Sequence, residues 1–172
     1  DYFLAYWVAG AVAGCEINES LTNKVYDGEI EIDSLYTQSQ LENKIKSGEF
    51  VFHRVGDKIR VLKDINSFVS VTTEKGKMFQ NNQTVRICDQ IASDVAVEYY
   101  MGKVPNDTSG RNSLWSDLVK YHEKLVNIRA LDEFDEEAIS VEMGESKNSV
   151  VIYEKICPVN SMEQLYMKVT LE

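Results

Sequence analysis

The stretch "FVFHRVGDKIRVL", residues 50–62, sets two runs of aromatic and β-branched residues on either side of Gly56 and Asp57. A two-residue loop opening with glycine suits the right-handed twist of the strands it joins, so this stretch predicts a tight antiparallel hairpin. Upstream, "TQSQLENKIKSG" reads as a short helix that stops at Gly48, with Lys44 and Lys46 in its last turn, where a cation complements the helix dipole. Before that, "SLTNKVYDG" and "EIEID" read as short strands or extended connections around Asp27 and Gly28. The uncharged run "YFLAYWVAGAVAGC", residues 2–15, falls short of the roughly 20 residues that span a bilayer and lacks the basic flank of a signal peptide. It predicts a fully buried core helix, with Gly10 and Gly14 on one face. The abrupt apolar start without a methionine reads as a piece of a longer protein.

Downstream, apolar residues recur at helical spacing over residues 83–101, at Val85, Cys88, Ile91, Ala92, Val95 and Tyr99. A Pro/Gly/Asn loop, "GKVPND", precedes a second helix over about residues 111–131. Its apolar face carries Leu114, Leu118, Tyr121, Leu125 and Ile128, with Ser109 or Ser113 as cap. The short loop implies that the two long helices pack as an antiparallel pair. After the acidic run "DEFDEE" come three strand-like stretches, "ISVEM", "SVVIYEKIC" and "QLYMKVTL". The order of elements predicts an α+β fold, a mainly antiparallel sheet covered by helices, as one domain over residues 1–172.

With 28 acidic against 18 basic residues, the formal charge is -10, which repels nucleic acid and anionic membranes. No nucleic-acid partner and no membrane insertion is expected. Phosphate-cradling G-x-x-x-x-G-K-[ST] spacing is absent. Cys15, Cys88 and Cys157 are too far apart for a zinc or disulfide framework and read as buried reduced thiols. His53 alternates with Val51 and Val55 and reads as a packed or rim residue, while His122 reads as solvent-facing or partly packed. The carboxylates Asp132, Asp135, Glu136 and Glu137 could do acid/base work in a pocket, but a like-charge run reads first as a solvated face. No catalytic, cofactor-binding or metal-binding residue is assigned, and no cofactor is expected.

The last stretch, "QLYMKVTLE", alternates Leu165, Met167, Val169 and Leu171 with Gln164, Tyr166, Lys168 and Thr170, the pattern of a strand with one buried face. Two partners are open to it. The connection "PVNSME" is long enough for the strand to fold back on "SVVIYEKIC", and the strand could equally add to another molecule's sheet.

In sequence and order, "DYFLAYWVAGAVAG", "SLTNK", "KSGEFVFHRVGDKIRVLKDINSF", "EKGKMF", "VRICDQIASDV", "YMGKVPND" and "SVVIYEKICPVNSMEQLYMKVTLE" resemble the C-terminal half of contractile tail sheath proteins. The likeness is to those of Gram-positive bacteriophages, PBSX-type prophage tails and phage-tail-like bacteriocins. Most specific are the hairpin followed by "KDIN", the "YMGKVPN" loop and the "PVNSMEQLYM" ending. The resemblance implies a structural polymer and not an enzyme: six-fold rings of subunits around a tail tube, contracting to drive it through a cell envelope. It implies assembly in the host cytoplasm into a virion or phage-like tail, with the tube protein and neighbouring subunits as partners. The chain would form the inner, tube-proximal region. Residues 163–172 would be a strand-exchange arm, with Leu165, Tyr166, Met167, Lys168, Val169, Thr170 and Leu171 at the subunit interface. The N-terminal arm and outer domains of such proteins have no counterpart in the sequence. The rival readings are another tail-associated adhesion module and an acidic-site hydrolase.

Overall fold

The computed structural model describes residues 2–100 and 102–170. Its fold is α+β, with four α-helices and two small antiparallel sheets. In place of one domain, the chain forms two compact units: residues up to Gln83 together with those from Asn160 onward, and Thr84–Val159. In place of one sheet, each unit holds its own two-stranded hairpin.

The first unit contains α1 (Tyr2–Ala13), α2 (Gln38–Lys46), β1 (Phe52–Val55) and β2 (Lys58–Val61). Helix α2 starts on a capping box: the Gln40 amide donates to the Thr37 hydroxyl (3.3 Å) and the Thr37 amide to Gln40 Oε1 (2.8 Å). It ends as the sequence expects, at Gly48, whose φ of 74° lets its amide reach Ile45 O (3.1 Å) and the next amide reach Lys44 O (3.0 Å). The hairpin pairs Val55 with Lys58 across the turn. Gly56 takes φ 63°, as a type II′ turn requires of its first central residue.

The core of this unit is Leu21, Ile32, Phe52 and Val61, against which α1 lays Leu4, Trp7, Val8, Ala11 and Val12. Trp7, Tyr26 and Phe52 meet one another at 5.1–5.6 Å between ring centroids, in the tilted and edge-on geometries that aromatic quadrupoles favour. Helix α1 is thus not the fully buried helix expected. One face packs, and Tyr2, Phe3 and Tyr6 on the other are exposed, because the hydrophobic core lies on one side of it. "SLTNKVYDG" and "EIEID" form no strand beyond a single bridge from Val25 to Arg60.

A buried carboxylate ties this unit together. Asp64, in "KDIN", accepts the Leu21 amide at Oδ2 (3.0 Å) and the Asn82 side-chain amide at Oδ1 (2.9 Å). Its own amide donates to the Thr22 hydroxyl (3.0 Å), and its carbonyl accepts the Asn82 amide (3.1 Å). The side chain is wholly removed from solvent. Two residues on, Asn66 holds the segment before α3 by donating to Phe79 O and accepting from the Phe68 amide, both at 2.9 Å.

The second unit contains most of α3 (Asn82–Asp94), a π-helical turn (Val95–Tyr100), α4 (Thr108–Asn127), β3 (Ile139–Met143) and β4 (Val150–Glu154). The expected end of the first long helix, Met101, lies outside the described residues. Helix α4 returns past the end of α3: Leu114 and Leu118 pack near Val95, and the Tyr121 hydroxyl donates to Asp94 Oδ2 (2.7 Å). Its cap is Asp107, which accepts the Gly110 amide (2.6 Å), so the helix starts earlier than the serines suggest. It also stops earlier, because Arg129 adopts φ 60° and closes the end as a glycine would, with amides of Arg129 and Ala130 reaching Val126 O and Leu125 O (both 2.9 Å). Ile139 of β3 completes the core, and the Trp115 indole donates to its carbonyl (3.1 Å). In the "KVPN" loop the Asn106 side-chain amide donates to Lys147 O and Ser149 O, both at 2.9 Å, fixing the β3–β4 turn.

Two stability predictions follow from this packing. At Gly56 a Cβ would meet open space, so Gly56→Ala carries only the backbone cost of a left-handed residue, about 1–2 kcal/mol. A Cβ at Gly48 would also meet Ser67 Cα at 2.9 Å, so Gly48→Ala should lower the urea midpoint further; equal losses would mean that Ser67 yields freely. Asp64→Asn sets an amide donor against donors already present and should cost about 1–3 kcal/mol by the same assay, whereas no change would deny Asp64 its organising role.

Candidate assembly arm

After β4 the chain carries only the isolated bridge at Pro158 among its described residues, and residues 161–170 form no strand. Among the described residues, the strand in "SVVIYEKIC" is β4 and its partner is β3, in the register Ile139 with Glu154 to Met143 with Val150. The arm begins on a fixed root in the first unit. Ser161 donates its amide (3.1 Å) and hydroxyl (3.3 Å) to Oε1 of Gln83, a side chain buried in the first turn of α3. Glu163 pairs with Lys63 Nζ (2.8 Å) and accepts from the Thr22 hydroxyl (3.3 Å).

Beyond Glu163 the character changes. Leu165, Met167 and Val169, the apolar set of the alternation, are 89%, 78% and 69% exposed, and Tyr166, Lys168 and Thr170 are exposed as well. Leu171 lies outside the described residues. The described candidate interface residues thus lie on one solvated segment with both sets of side chains exposed. Sequence reasoning missed the root residues Thr22, Lys63 and Gln83, which lie far from the arm in sequence. The signal that was available is that Ser161 and Glu163 share the parity of Leu165 and so the same side of an extended chain.

The candidates for catalysis are scattered. His53 lies on β1 opposite Arg60, and burial first, then the Arg60 charge, pushes its ring below the usual imidazole range. His122 is fully buried, which corrects the solvent-facing or partly packed expectation: it stacks on Phe134 at 5.0 Å, because α4 is covered on the faces of both Leu118 and Tyr121. Its Nδ1 donates to Leu118 O (2.9 Å), which leaves Nε2 3.2 Å from Glu154 Oε2 and not aligned for a hydrogen bond. The cysteines are free thiols, but Cys157 is exposed and Cys15 and Cys88 are half-buried; burial raises the pKa of Cys88. Asp132, Asp135, Glu136 and Glu137 all face solvent, and Asp135 accepts the Glu137 amide (3.0 Å) to cap a short turn. Glu136 also lines an open groove of about 470 Å³ with Glu123, Val119 and Phe134, in which no histidine or cysteine takes part. Among the described residues no group of His, Cys, Asp and Glu could hold a metal ion, and no helix is long and apolar enough to cross a membrane.

Comparison with known proteins divides the chain in sequence, at a point earlier than its packing does. Residues 2–67 match the phage tail sheath protein central domain, and residues 74–172 match the phage tail sheath C-terminal domain. The phage-like element PBSX protein XkdK of Bacillus subtilis is 30% identical over 95% of this chain and 38% of its own length. The crystal structure of a sheath tail protein from Desulfitobacterium hafniense superposes with a TM-score of 0.78 at 35% identity, covering 95% of this chain and 39% of that one. The contracted helical sheath of the anti-feeding prophage shares the fold, with a TM-score of 0.71 at 18% identity over 96% of this chain and 48% of that one. The chain spans about two-fifths of the length of the curated relatives it matches. With the C-terminal domain family matched over more than half its residues and both domain families in order, the chain belongs to the phage tail sheath proteins.

Proposed function

We propose that this chain is the inner, tube-proximal part of a contractile sheath subunit, and that it joins its neighbours by donating residues 164–172 as a strand. The subunits form six-fold rings around a tail tube and contract to drive that tube through a cell envelope, within a phage or phage-like tail assembled in the host cytoplasm. The role is structural, without catalysis. The observation that carries this reading is the arm: a strand-patterned segment, rooted at Ser161 and Glu163, whose Leu165, Met167 and Val169 are left in solvent. An extended segment of that kind gains main-chain hydrogen bonds and side-chain burial by adding to the edge of another sheet.

Deleting residues 164–172 from the complete gene product should leave a soluble, folded subunit that yields no sheath tubes in electron micrographs. Tubes of normal length from the truncated protein would refute donation. Val169→Lys should reduce assembly more than Lys168→Val, since only Val169 belongs to the apolar set. In the present chain the same deletion should leave the melting temperature unchanged, whereas loss of a strand that covers its own core would lower it by several degrees.

A further inference from the structure

We infer that Ser161 and Glu163 are positioning residues that set the direction and rotational phase in which the arm leaves the fold. This rests on the donation reading above and adds to it a defined starting point. The residues of "PVNSM" make backbone and side-chain bonds within each unit. In the second unit Pro158 bridges to Leu131, Asp132 donates its amide to Cys157 O (2.9 Å) and Val159 its amide to Ala130 O (2.9 Å). In the first unit Ser161 is held by Gln83 and Glu163 by Lys63 and Thr22.

Phase follows from period. The side chains of Ser161 and Glu163 both bond to the first unit, Ser161 while itself exposed, whereas Met162 between them is fully exposed, an alternation of bonding that fits the period of a strand. Continued at the same period, Leu165, Met167 and Val169 fall on the side of Ser161 and Glu163. The polar clamp therefore sets the phase from which the apolar edge of the arm starts. A slip of one residue would turn that edge over. The clamp has the chemistry for the task. Gln83 is buried, so its bonds to Ser161 are shielded from water, and the Glu163–Lys63 pair is only partly exposed. Thr22, which donates to Glu163, accepts the amide of buried Asp64 (3.0 Å), so the root is coupled to the most constrained point of the unit. An ion pair of this exposure contributes little to global stability, so its effect should appear in assembly and not in the melting curve.

Hydrogen exchange on the present chain and assembly of the complete gene product test the inference together. The Ser161 amide should exchange at least tenfold more slowly than those of residues 164–170, and Glu163→Lys should erase most of that difference. Equal exchange across residues 161–170 in the unsubstituted chain would overturn the clamp. In assembly, Glu163→Lys should slow tube formation at least tenfold with an unchanged melting temperature, and the swap Lys63→Glu with Glu163→Lys should restore it. Should Glu163→Lys lower the melting temperature, Lys63→Met, which leaves Glu163 in place, should still slow assembly. Normal assembly of both variants, or a swap that restores nothing, would overturn the inference. Deleting residues 164–172 in parallel separates the two readings: if the deletion blocks assembly and the clamp variants do not, the clamp fails alone, and if the deletion is harmless, donation itself fails.

Discussion

The first unit is organised by a carboxylate in an apolar setting. Removing Asp64 from water would be costly if it were unpartnered, so the chain must deliver hydrogen-bond donors to it. The Leu21 amide and the Asn82 side chain do so from opposite sides in sequence. Satisfying one buried group thus fixes where the segment after α1, the exit of β2 and the entry to α3 meet. Unlike the surrounding apolar packing, which tolerates small shifts, these bonds demand defined distances and angles. That is a physical reason for "KDIN" to be among the most specific parts of the sheath likeness.

The arm stands in contrast to that rigidity. Burying Leu165, Met167 and Val169 against a neighbour, at roughly 1.5–3 kcal/mol per side chain, with a few backbone hydrogen bonds at about 1 kcal/mol net each, is nearly cancelled by ordering residues 164–170 at about 1–2 kcal/mol apiece. On the proposed reading a single link is marginal. On that reading, a lattice of such links would close only when many neighbours are in place, which would keep free subunits from locking together prematurely.

Much of the fold was legible because it rests on local chemistry. Thr37 with Gln40, Gly48 and the Gly56 turn each announce a backbone need that few other residues meet. What stayed hidden depends on partners far along the chain or on choices the residue type does not reveal. Arg129 takes a glycine-like φ that no pattern flags, and so α4 ends short of its periodic signal. His122 sits beside Tyr121 on a helix, and only the packing of Phe134 and β4 makes it a core residue. The uniformly apolar α1 reads as buried, but apolarity states what a helix tolerates and not what lies against each face. For the arm, alternation suggested a strand pattern, while the absence of a ladder among its described residues required the fold.

The root of the arm joins these two regimes. A donated strand must be flexible enough to find its acceptor and constrained enough to present the correct face to it. A tether that is loose from β4 onward would meet the first demand and fail the second, since every added free residue widens the range of phases sampled. The observed root shortens the free length to the residues beyond Glu163, and it does so with polar contacts that lead back through Thr22 to Asp64. On the proposed reading, a strand that starts from a fixed root could stay in register with its acceptor while the subunits turn, which is the mechanical requirement of a sheath that contracts without coming apart.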